Sequence, residues 1–208
     1  MPSETYRQDM IDRVVAHALA AVKASQDGKT HLVLGDGMTS QRLSLREGGY
    51  CARFVRQVYE TGCEFGEGRW RYAAGTALEM CKKLADDKHE VADGSLTPGD
   101  IVGINRNCGA YGHVALYVGK IQGKDMIAEN TSSGTRGNPR RAGTKLTPFE
   151  ELRPRITGVY RLLTGVKAAH WPGFRAFLYS GKQCQEIELM PNGDHRLDQG
   201  KTYWRLRQ

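Results

Sequence analysis

The fold is decided by residues 98–119, which read PGDIVGINRNCGAYGHVALYVG. The Pro-Gly-Asp triplet at the start predicts a turn, and the apolar residues 101–104 directly after it predict a buried strand. Residues 105–112 contain glycine and asparagine and predict a loop. Residues 113–118 are mostly β-branched, aromatic or aliphatic and end at Gly119, which is typical of a second strand. The periodicity of the chain therefore changes here from helical to extended.

Helical spacing of apolar residues dominates before this stretch, and strand patterns dominate after it. The helical pattern predicts helices at residues 4–24, 51–60 and 73–84. A short strand is expected at residues 31–34, and further strands at residues 125–130 and 156–163. Helices followed by hairpin-linked strands predict an α+β fold in which the N-terminal helices pack on an antiparallel sheet.

The last part of the chain has a pattern of its own. Residues 131–145 are rich in Gly, Ser, Thr and Arg and are interpreted as a long loop. After Gly165, three short strands are expected at residues 174–179, 185–189 and 202–206. We therefore divide the chain into a main domain of residues 1–165 and a small β-rich appendage of residues 166–208.

The chain is basic, with a formal net charge of +7 and a pI of about 9.2. A basic protein is attracted to polyanions such as nucleic acid, anionic lipid or anionic wall polymers. The basic residues are dispersed, and neither an RNP-type motif nor a helix-turn-helix is present, so we expect no nucleic-acid partner. Arg136, Arg140 and Arg141 of the long loop are interpreted either as a solvated surface or as a cleft wall that meets an anionic substrate.

The sequence predicts no membrane segment. No run of about 18 apolar residues is present, so we expect no membrane-spanning helix. Residues 1–4 lack a basic segment followed by an apolar one, so we expect no Sec-type signal peptide and a protein that is cytoplasmic on synthesis. No pattern in the sequence sets the oligomeric state.

The five cysteines contain no Cys-x-x-Cys spacing. A structural zinc site is therefore not expected. His170, Cys184 and His195 of the appendage match no zinc pattern either, and we predict neither a metal nor an organic cofactor. All the cysteines except Cys51 are interpreted as small core residues or incidental surface thiols.

Cys51 opens the predicted helix at residues 51–60, directly after Gly48-Gly49-Tyr50. The helix dipole and the free backbone N–H groups at such a position stabilise a thiolate. An N–H group in this turn can also stabilise an oxyanion. A thiolate nucleophile needs a base, and histidine is the usual one, so His113 at the head of its predicted strand is the candidate.

An imidazole base also needs a neighbour that fixes its tautomer. His113 shares a strand face with Tyr117, and we expect that face to look toward the helix of the nucleophile. The predicted strand at residues 125–130 ends in Glu129 and Asn130. If it pairs antiparallel with the strand of His113, one of the two lies close to the imidazole. Adjacent strand residues point to opposite faces, so only one is expected to orient the ring, and the sequence leaves both open.

Each of these residues also has a simpler interpretation. A free cysteine is often a small buried residue, and a lone histidine is often structural. Glu129 and Asn130 could instead end a strand or form a turn. The combination of these residues and their order along the chain favour chemistry.

Four motifs, taken in order, resemble the NlpC/P60 and CHAP cysteine hydrolases. They are YCARFV at residues 50–55, PGDIV at residues 98–102, GHVALYVG at residues 112–119 and IAEN at residues 127–130. The resemblance covers residues 45–163. The chain departs from it at Tyr50-Cys51-Ala52, where NlpC/P60 members usually have Asp-Cys-Ser, which leaves the subfamily and the substrate open.

The resemblance implies a papain-like fold and cleavage of amide bonds in peptidoglycan stem peptides or cross-bridges. It implies Cys51 as nucleophile, His113 as base and Glu129 or Asn130 as the third residue, in a pairing closer to CHAP. Tyr50 is a candidate for the oxyanion hole because of its position. The appendage is then a candidate wall-binding module, and an endolysin that reaches the cell wall after release is one form such an enzyme takes.

Two alternatives stay open. Relatives in the same superfamily use the same Cys–His pair as amidases or acyltransferases on lipids or other non-wall substrates. An exposed apolar patch beside the cleft would favour this alternative. The other alternative is a non-catalytic wall-binding or phage structural protein with a decayed site, against which the intact Cys51 and His113 argue.

Overall fold

The structure is a computed structural model that describes residues 8–34, 41–45, 48–63, 65, 68–91, 95–132, 143–162, 174–180, 183–189 and 195–204. In the last three ranges the description covers the backbone. The described helices are α1 (Gln8–Gln26), α2 (Cys51–Gly62), α3 (Ala77–Asp86) and α4 (Phe149–Leu152). In the described part of the chain, none of the helices is long and apolar enough to cross a bilayer.

The described strands form two sheets. They are β1 (His31–Leu34), β2 (Gln41–Ser44), β3 (Glu90–Val91), β4 (Ile101–Gly103), β5 (Val114–Ile121), β6 (Lys124–Thr131), β7 (Gly143–Pro148), β8 (Gly158–Tyr160), β9 (Phe174–Ser180), β10 (Gln183–Leu189) and β11 (His195–Trp204). The larger sheet has the order β3-β8-β4-β5-β6-β7, and the smaller one the order β11-β10-β9-β1-β2. All these neighbours are antiparallel, so the α+β class expected from the sequence is confirmed.

The larger sheet carries a hydrophobic core on each face. Leu116 and Val118 of β5 alternate onto one face and share a core with the apolar sides of α1, α2 and α3. Tyr117 of β5 and Ile127 of β6 point to the other face, where Phe149 of α4 packs against them. Burial of each such large apolar side chain contributes about 2 kcal/mol. Because side chains alternate along each strand, apolar residues pack on both faces of the sheet.

The smaller sheet combines strands from both ends of the described chain. β9 pairs with β1, with Leu32 opposite Leu178, and β10 and β11 follow β9. Leu32 and Leu34 are buried in the main core. The strands expected in residues 166–208 are therefore present with different bounds, and β9 pairs with a strand of residues 1–165.

Several elements differ from their expected bounds, and for two of them the reason is local. Helix α3 begins at Ala77 instead of residue 73 because Thr76 caps it, with its hydroxyl accepting the N–H of Glu79 while the Glu79 carboxylate accepts the N–H of Thr76. Strand β7 extends into the stretch that was interpreted as a loop, and it pairs along β6. Its polar composition gives no apolar alternation by which it could be predicted.

The turn at residues 98–100 is held by a buried carboxylate. Asp100 accepts hydrogen bonds from Arg161 at 2.8 Å from Nε and 2.7 Å from Nη2. Gly99 has a φ of +98°, and a Cβ there would lie 2.2 Å from Cγ2 of Ile11. Glycine is therefore required for α1 to approach the turn. Together these contacts join the start of β4 to the end of β8 and to α1.

Replacing Asp100 with Asn is expected to lower the free energy of unfolding by about 2 kcal/mol, because charge-assisted hydrogen bonds of a buried group are lost. Urea denaturation followed by circular dichroism measures the change. The control Glu150→Gln removes an ion pair with Arg153 whose side chains are 66% and 53% exposed. It should cost less than about 0.5 kcal/mol. Equal losses in the two variants would contradict the anchoring role of Asp100.

Candidate active site

Helix α2 begins at Cys51. Tyr50 is the N-cap residue and makes no side-chain hydrogen bond to the first turn, which also contains no acidic residue. The first-turn N–H groups therefore receive no hydrogen bond from the Tyr50 side chain, and that of Ala52 hydrogen-bonds the Cys51 thiol. The chain approaches α2 close to the sheet, since a Cβ on Gly48 would lie 2.1 Å from the carbonyl oxygen of Thr131.

Asn130 fixes the start of α2 to the sheet. Its Oδ1 accepts a hydrogen bond from the N–H of Tyr50 at 3.0 Å, and its Nδ2 donates to Oγ1 of Thr144 at 3.3 Å. The amide is buried. Because the N–H of Tyr50 is committed to Asn130, an oxyanion contact from Tyr50 has to come from its side chain, which lines the cleft.

His113 lies directly before β5 and is held by the β4–β5 loop. Its N–H donates to Oδ1 of Asn105 at 3.2 Å, and its carbonyl accepts the N–H of Ile104 at 2.8 Å. Its imidazole hydrogen-bonds both the thiol of Cys51 and the carboxylate of Glu129. The distance from Nε2 to Oε2 of Glu129 is 2.7 Å, which leaves Nδ1 for Cys51.

His113 reaches Cys51 by a different route from the one expected. The sequence placed His113 on the face of Tyr117 and directed that face toward α2. The second part of that prediction is wrong, because the face of Tyr117 packs on Phe149, whereas the face of Leu116 packs on α2. The ring of His113 does contact Glu129, which is on the face of Tyr117 and Ile127, and His113 reaches Cys51 from its position directly before β5.

The structure separates the two candidate orienting residues. The pairing of Leu116 with Ala128 fixes the register of β6 against β5, and Glu129 and Asn130 point to opposite faces. Glu129 contacts the imidazole of His113, and Asn130 contacts the start of α2. Of the alternatives that the sequence left open, Glu129 is the residue in position to orient the imidazole of His113.

Two residues of β7 complete the surroundings of Glu129, and the sequence analysis missed both. Oε1 of Glu129 accepts a hydrogen bond from Oγ1 of Thr147 at 2.5 Å and lies 3.4 Å from Nζ of Lys145. Lys145 and Thr147 are two positions apart, so they share a face of the strand. The signal in the sequence was this alternation on either side of Leu146, which starts at the last residue of the stretch interpreted as a loop.

The electrostatics of the site favour a thiolate beside an imidazolium. Burial by itself raises the pKa of the Cys51 thiol, but the hydrogen bond and charge of His113 outweigh it and lower that pKa. Burial likewise lowers the pKa of His113, whereas Cys51 and Glu129 raise it, to about 9. Burial raises the pKa of Glu129, but His113, Thr147 and Lys145 lower it to about 2. These shifts favour an ionised thiol and a charged ring, in series with the carboxylate of Glu129.

The thiol, the imidazole and the carboxylate line one cleft of about 550 Å³. Its walls also carry three cations and one further carboxylate, on Arg53, Lys145, Arg155 and Glu151. This volume suits a small molecule or a short stretch of peptide.

The remaining described thiols divide into core and cleft residues. Cys63 and Cys81 are buried, and burial raises the pKa of Cys81 to about 11. Cys108 lines the cleft, with Nη2 of Arg155 at 2.9 Å from its sulfur, and the sequence analysis did not single it out. The side chains of Arg136, Arg140, Arg141, His170, Cys184 and His195 lie outside the described part of the chain.

Replacing Glu129 with Gln removes the carboxylate that faces the base. The pKa of His113, about 9 in the native protein, is then expected to fall by about one unit or more, and NMR titration of the ring protons measures it. The control Glu151→Gln removes an exposed carboxylate of the same cleft and should shift the pKa of His113 much less. Equal shifts would mean that the field of the cleft, and not the contact with Glu129, sets the charge of the ring.

Comparison of the chain with protein-family models, curated proteins and solved structures finds no match. The resemblance to NlpC/P60 and CHAP hydrolases therefore rests on the four motifs. The function has to be inferred from the chemistry that the geometry of Cys51, His113 and Glu129 can support.

Proposed function

We propose that the chain is a cysteine hydrolase that cleaves amide bonds of peptidoglycan, in stem peptides or cross-bridges. The observation that carries the proposal is the position of His113, which contacts Cys51 on one side and Glu129, at 2.7 Å, on the other. A nucleophile, a base and an orienting carboxylate in a hydrogen-bonded series are what nucleophilic acyl transfer requires.

The choice of peptidoglycan is supported by the four motifs and by charge. A net charge of +7 suits a partner as anionic as a bacterial wall. The papain-like fold that the motifs imply is compatible with a helix that carries Cys51 beside an antiparallel sheet that carries Glu129. Under this proposal the enzyme acts at the cell wall after release from the cytoplasm, as an endolysin does.

The reaction begins with Cys51 as thiolate and His113 as imidazolium. The sulfur attacks the carbonyl carbon of the amide, and the electron pair of the C=O bond moves onto oxygen. His113 then donates its proton to the leaving nitrogen, the C–N bond breaks, and the acyl group stays on sulfur as a thioester. Glu129 holds the ring in place throughout and stabilises its positive charge.

The start of α2 is suited to stabilise the negative oxygen. The N–H of Cys51 occupies the first helical position, where it has no partner within the helix, and the helix dipole adds positive potential. The hydroxyl of Tyr50 is the part of that residue left to contribute, since Asn130 holds its N–H. In the second half of the reaction, water attacks the thioester and gives a proton to His113, which restores the thiolate and releases the acid.

An amidase or acyltransferase that acts on a non-wall substrate is the second candidate, because the mouth of the cleft is partly apolar. Tyr50, Leu78 and Tyr111 are the large hydrophobic side chains that are exposed in the described residues, at 43%, 40% and 73%. Both tyrosines line the cleft, and the N–H of Leu78 donates to the carbonyl of Tyr111 at 3.3 Å. Exposed apolar groups beside a nucleophile can hold an acyl chain.

The purified protein is expected to clear a suspension of peptidoglycan and to release new amino termini. Cys51→Ala should lower this activity at least about a thousandfold, because the reaction loses its nucleophile. Mass spectrometry of the released muropeptides identifies the bond. The control Cys63→Ala removes a buried thiol outside the cleft and should leave the rate within a few-fold.

Other results would favour the alternatives. If wild type and Cys51→Ala both bind the wall and neither hydrolyses it, the chain is a wall-binding module. If wild type hydrolyses acyl thioesters or lipid amides and leaves the wall intact, the second candidate replaces the first.

The rate is expected to follow a bell-shaped pH profile. The acid limb reports ionisation of Cys51, whose lowered pKa puts this limb below that of an ordinary thiol. The alkaline limb reports loss of the proton of His113, at about pH 9. Both limbs belong to the coupled pair. Glu129→Gln should move the alkaline limb to lower pH, and a rate that keeps rising above about pH 9 would contradict the ion-pair mechanism.

A further inference from the structure

Arg155 lies in the wall of the catalytic cleft, at the end of the short 3₁₀ helix Arg153–Arg155. Its guanidinium is held by the β4–β5 loop. Nε donates to the carbonyl of Arg106 at 3.4 Å, and Nη2 donates to the carbonyl of Asn107 at 3.4 Å and to the sulfur of Cys108 at 2.9 Å. The planar group is therefore fixed along one edge.

The other edge of the guanidinium is unused within the described chain. Nη1 carries two N–H donors, and no hydrogen bond joins it to any residue that the structure describes. The contacts of Arg155 within those residues also include no carboxylate. The other cations of the cleft differ, because Lys145 pairs with Glu129 at 3.4 Å and Arg53 lies 5.8 Å from the centre of the Tyr50 ring.

We infer that Arg155 binds a carboxylate of the substrate, so that the enzyme prefers an amide bond whose neighbouring residue carries a free acid group. The inference rests on the proposed function, since it names a carboxylate as the substrate group that the same cleft recognises. A guanidinium forms charge-assisted, directional hydrogen bonds with a carboxylate, and one that is already oriented loses little rotamer freedom on binding. A carboxamide in the same place lacks the charge.

The charge balance of the cleft agrees with an anionic ligand. The carboxylate of Glu129 is already compensated by Lys145 and by the ring of His113. The positive charges of Arg53 and Arg155 then face only the exposed Glu151 among the described residues that line the cleft. A substrate carboxylate would bring these walls close to neutrality.

Arg155 also supports a loop, and a test has to separate the two roles. The β4–β5 loop leads to His113, whose N–H is held by Asn105 of the same loop. Loss of this support would slow the cleavage of every substrate alike. Loss of a carboxylate contact would slow the cleavage of acidic substrates alone.

The test compares stem peptides released from purified peptidoglycan with the same peptides after their carboxyl groups have been converted to carboxamides. Wild type is expected to cleave the acid form with a kcat/KM about tenfold or more higher, mainly through KM. Arg155→Gln should cleave the two forms alike, whereas Arg155→Lys, which keeps the charge without the fork, should retain part of the preference. The matched control Arg153→Gln lies in the same 3₁₀ helix, outside the cleft, and should retain all of it.

Calorimetry with the same two peptide forms measures their binding to the Cys51→Ala protein. It tests the contact between Arg155 and the carboxylate without turnover. A preference for the acid form that disappears when Arg155→Gln is added supports the inference, even if wild type proves to hydrolyse nothing, which would overturn only the proposed function. Three results overturn the inference: hydrolysis without preference for the acid form, an equal loss on both forms in Arg155→Gln, and no binding of either form.

Discussion

The antiparallel pairing of β5 with β6 is the constraint on which the site depends. Its register sets Leu116 opposite Ala128, and from that pairing Glu129 falls beside the imidazole while Asn130 faces the start of α2. A shift by one residue would exchange these directions. It would also move the apolar residues of both strands out of the cores that cover the two faces of the sheet. The positions of His113 and of the helix that begins at Cys51 are therefore set by the packing of apolar residues outside the site.

Charges of alternating sign offset the free-energy cost of burying ionised groups in the site. In the ion-pair state that we propose, the thiolate of Cys51, the imidazolium of His113, the carboxylate of Glu129 and the ammonium of Lys145 follow one another in space. An isolated ion in such a position would cost several kcal/mol in lost hydration. Each ion here lies beside one of opposite sign, and Thr147 satisfies a further lone pair of the carboxylate. The ionisation of the thiol thus depends on all of these neighbouring groups together.

Local sequence patterns predicted the elements that depend on neighbouring residues. They did not predict the features that depend on pairing between distant strands. The start of α2 at Cys51 follows from helical spacing after two glycines, and the strand after His113 follows from its composition. The choice between Glu129 and Asn130 required the register of two strands, which no local pattern encodes. β7 was missed because its inward residues, Lys145 and Thr147, are polar, as their ionic partner requires. The pairing of β9 with β1 joins segments too far apart in the chain for any periodicity to link them.

Cys51 and Cys81 carry the same functional group in opposite electrical surroundings. Burial is the main cause that raises the pKa of Cys81 to about 11, and the negative charge of Cys51 adds to it, whereas His113 lowers the pKa of Cys51 itself. Soft electrophiles react with thiolates and spare thiols. A covalent probe would therefore favour Cys51 over Cys81 for two reasons that act together, the more readily ionised thiol of Cys51 and the burial of Cys81. The chain thus contains an internal reference for labelling chemistry, against which the selectivity of a covalent inhibitor can be judged.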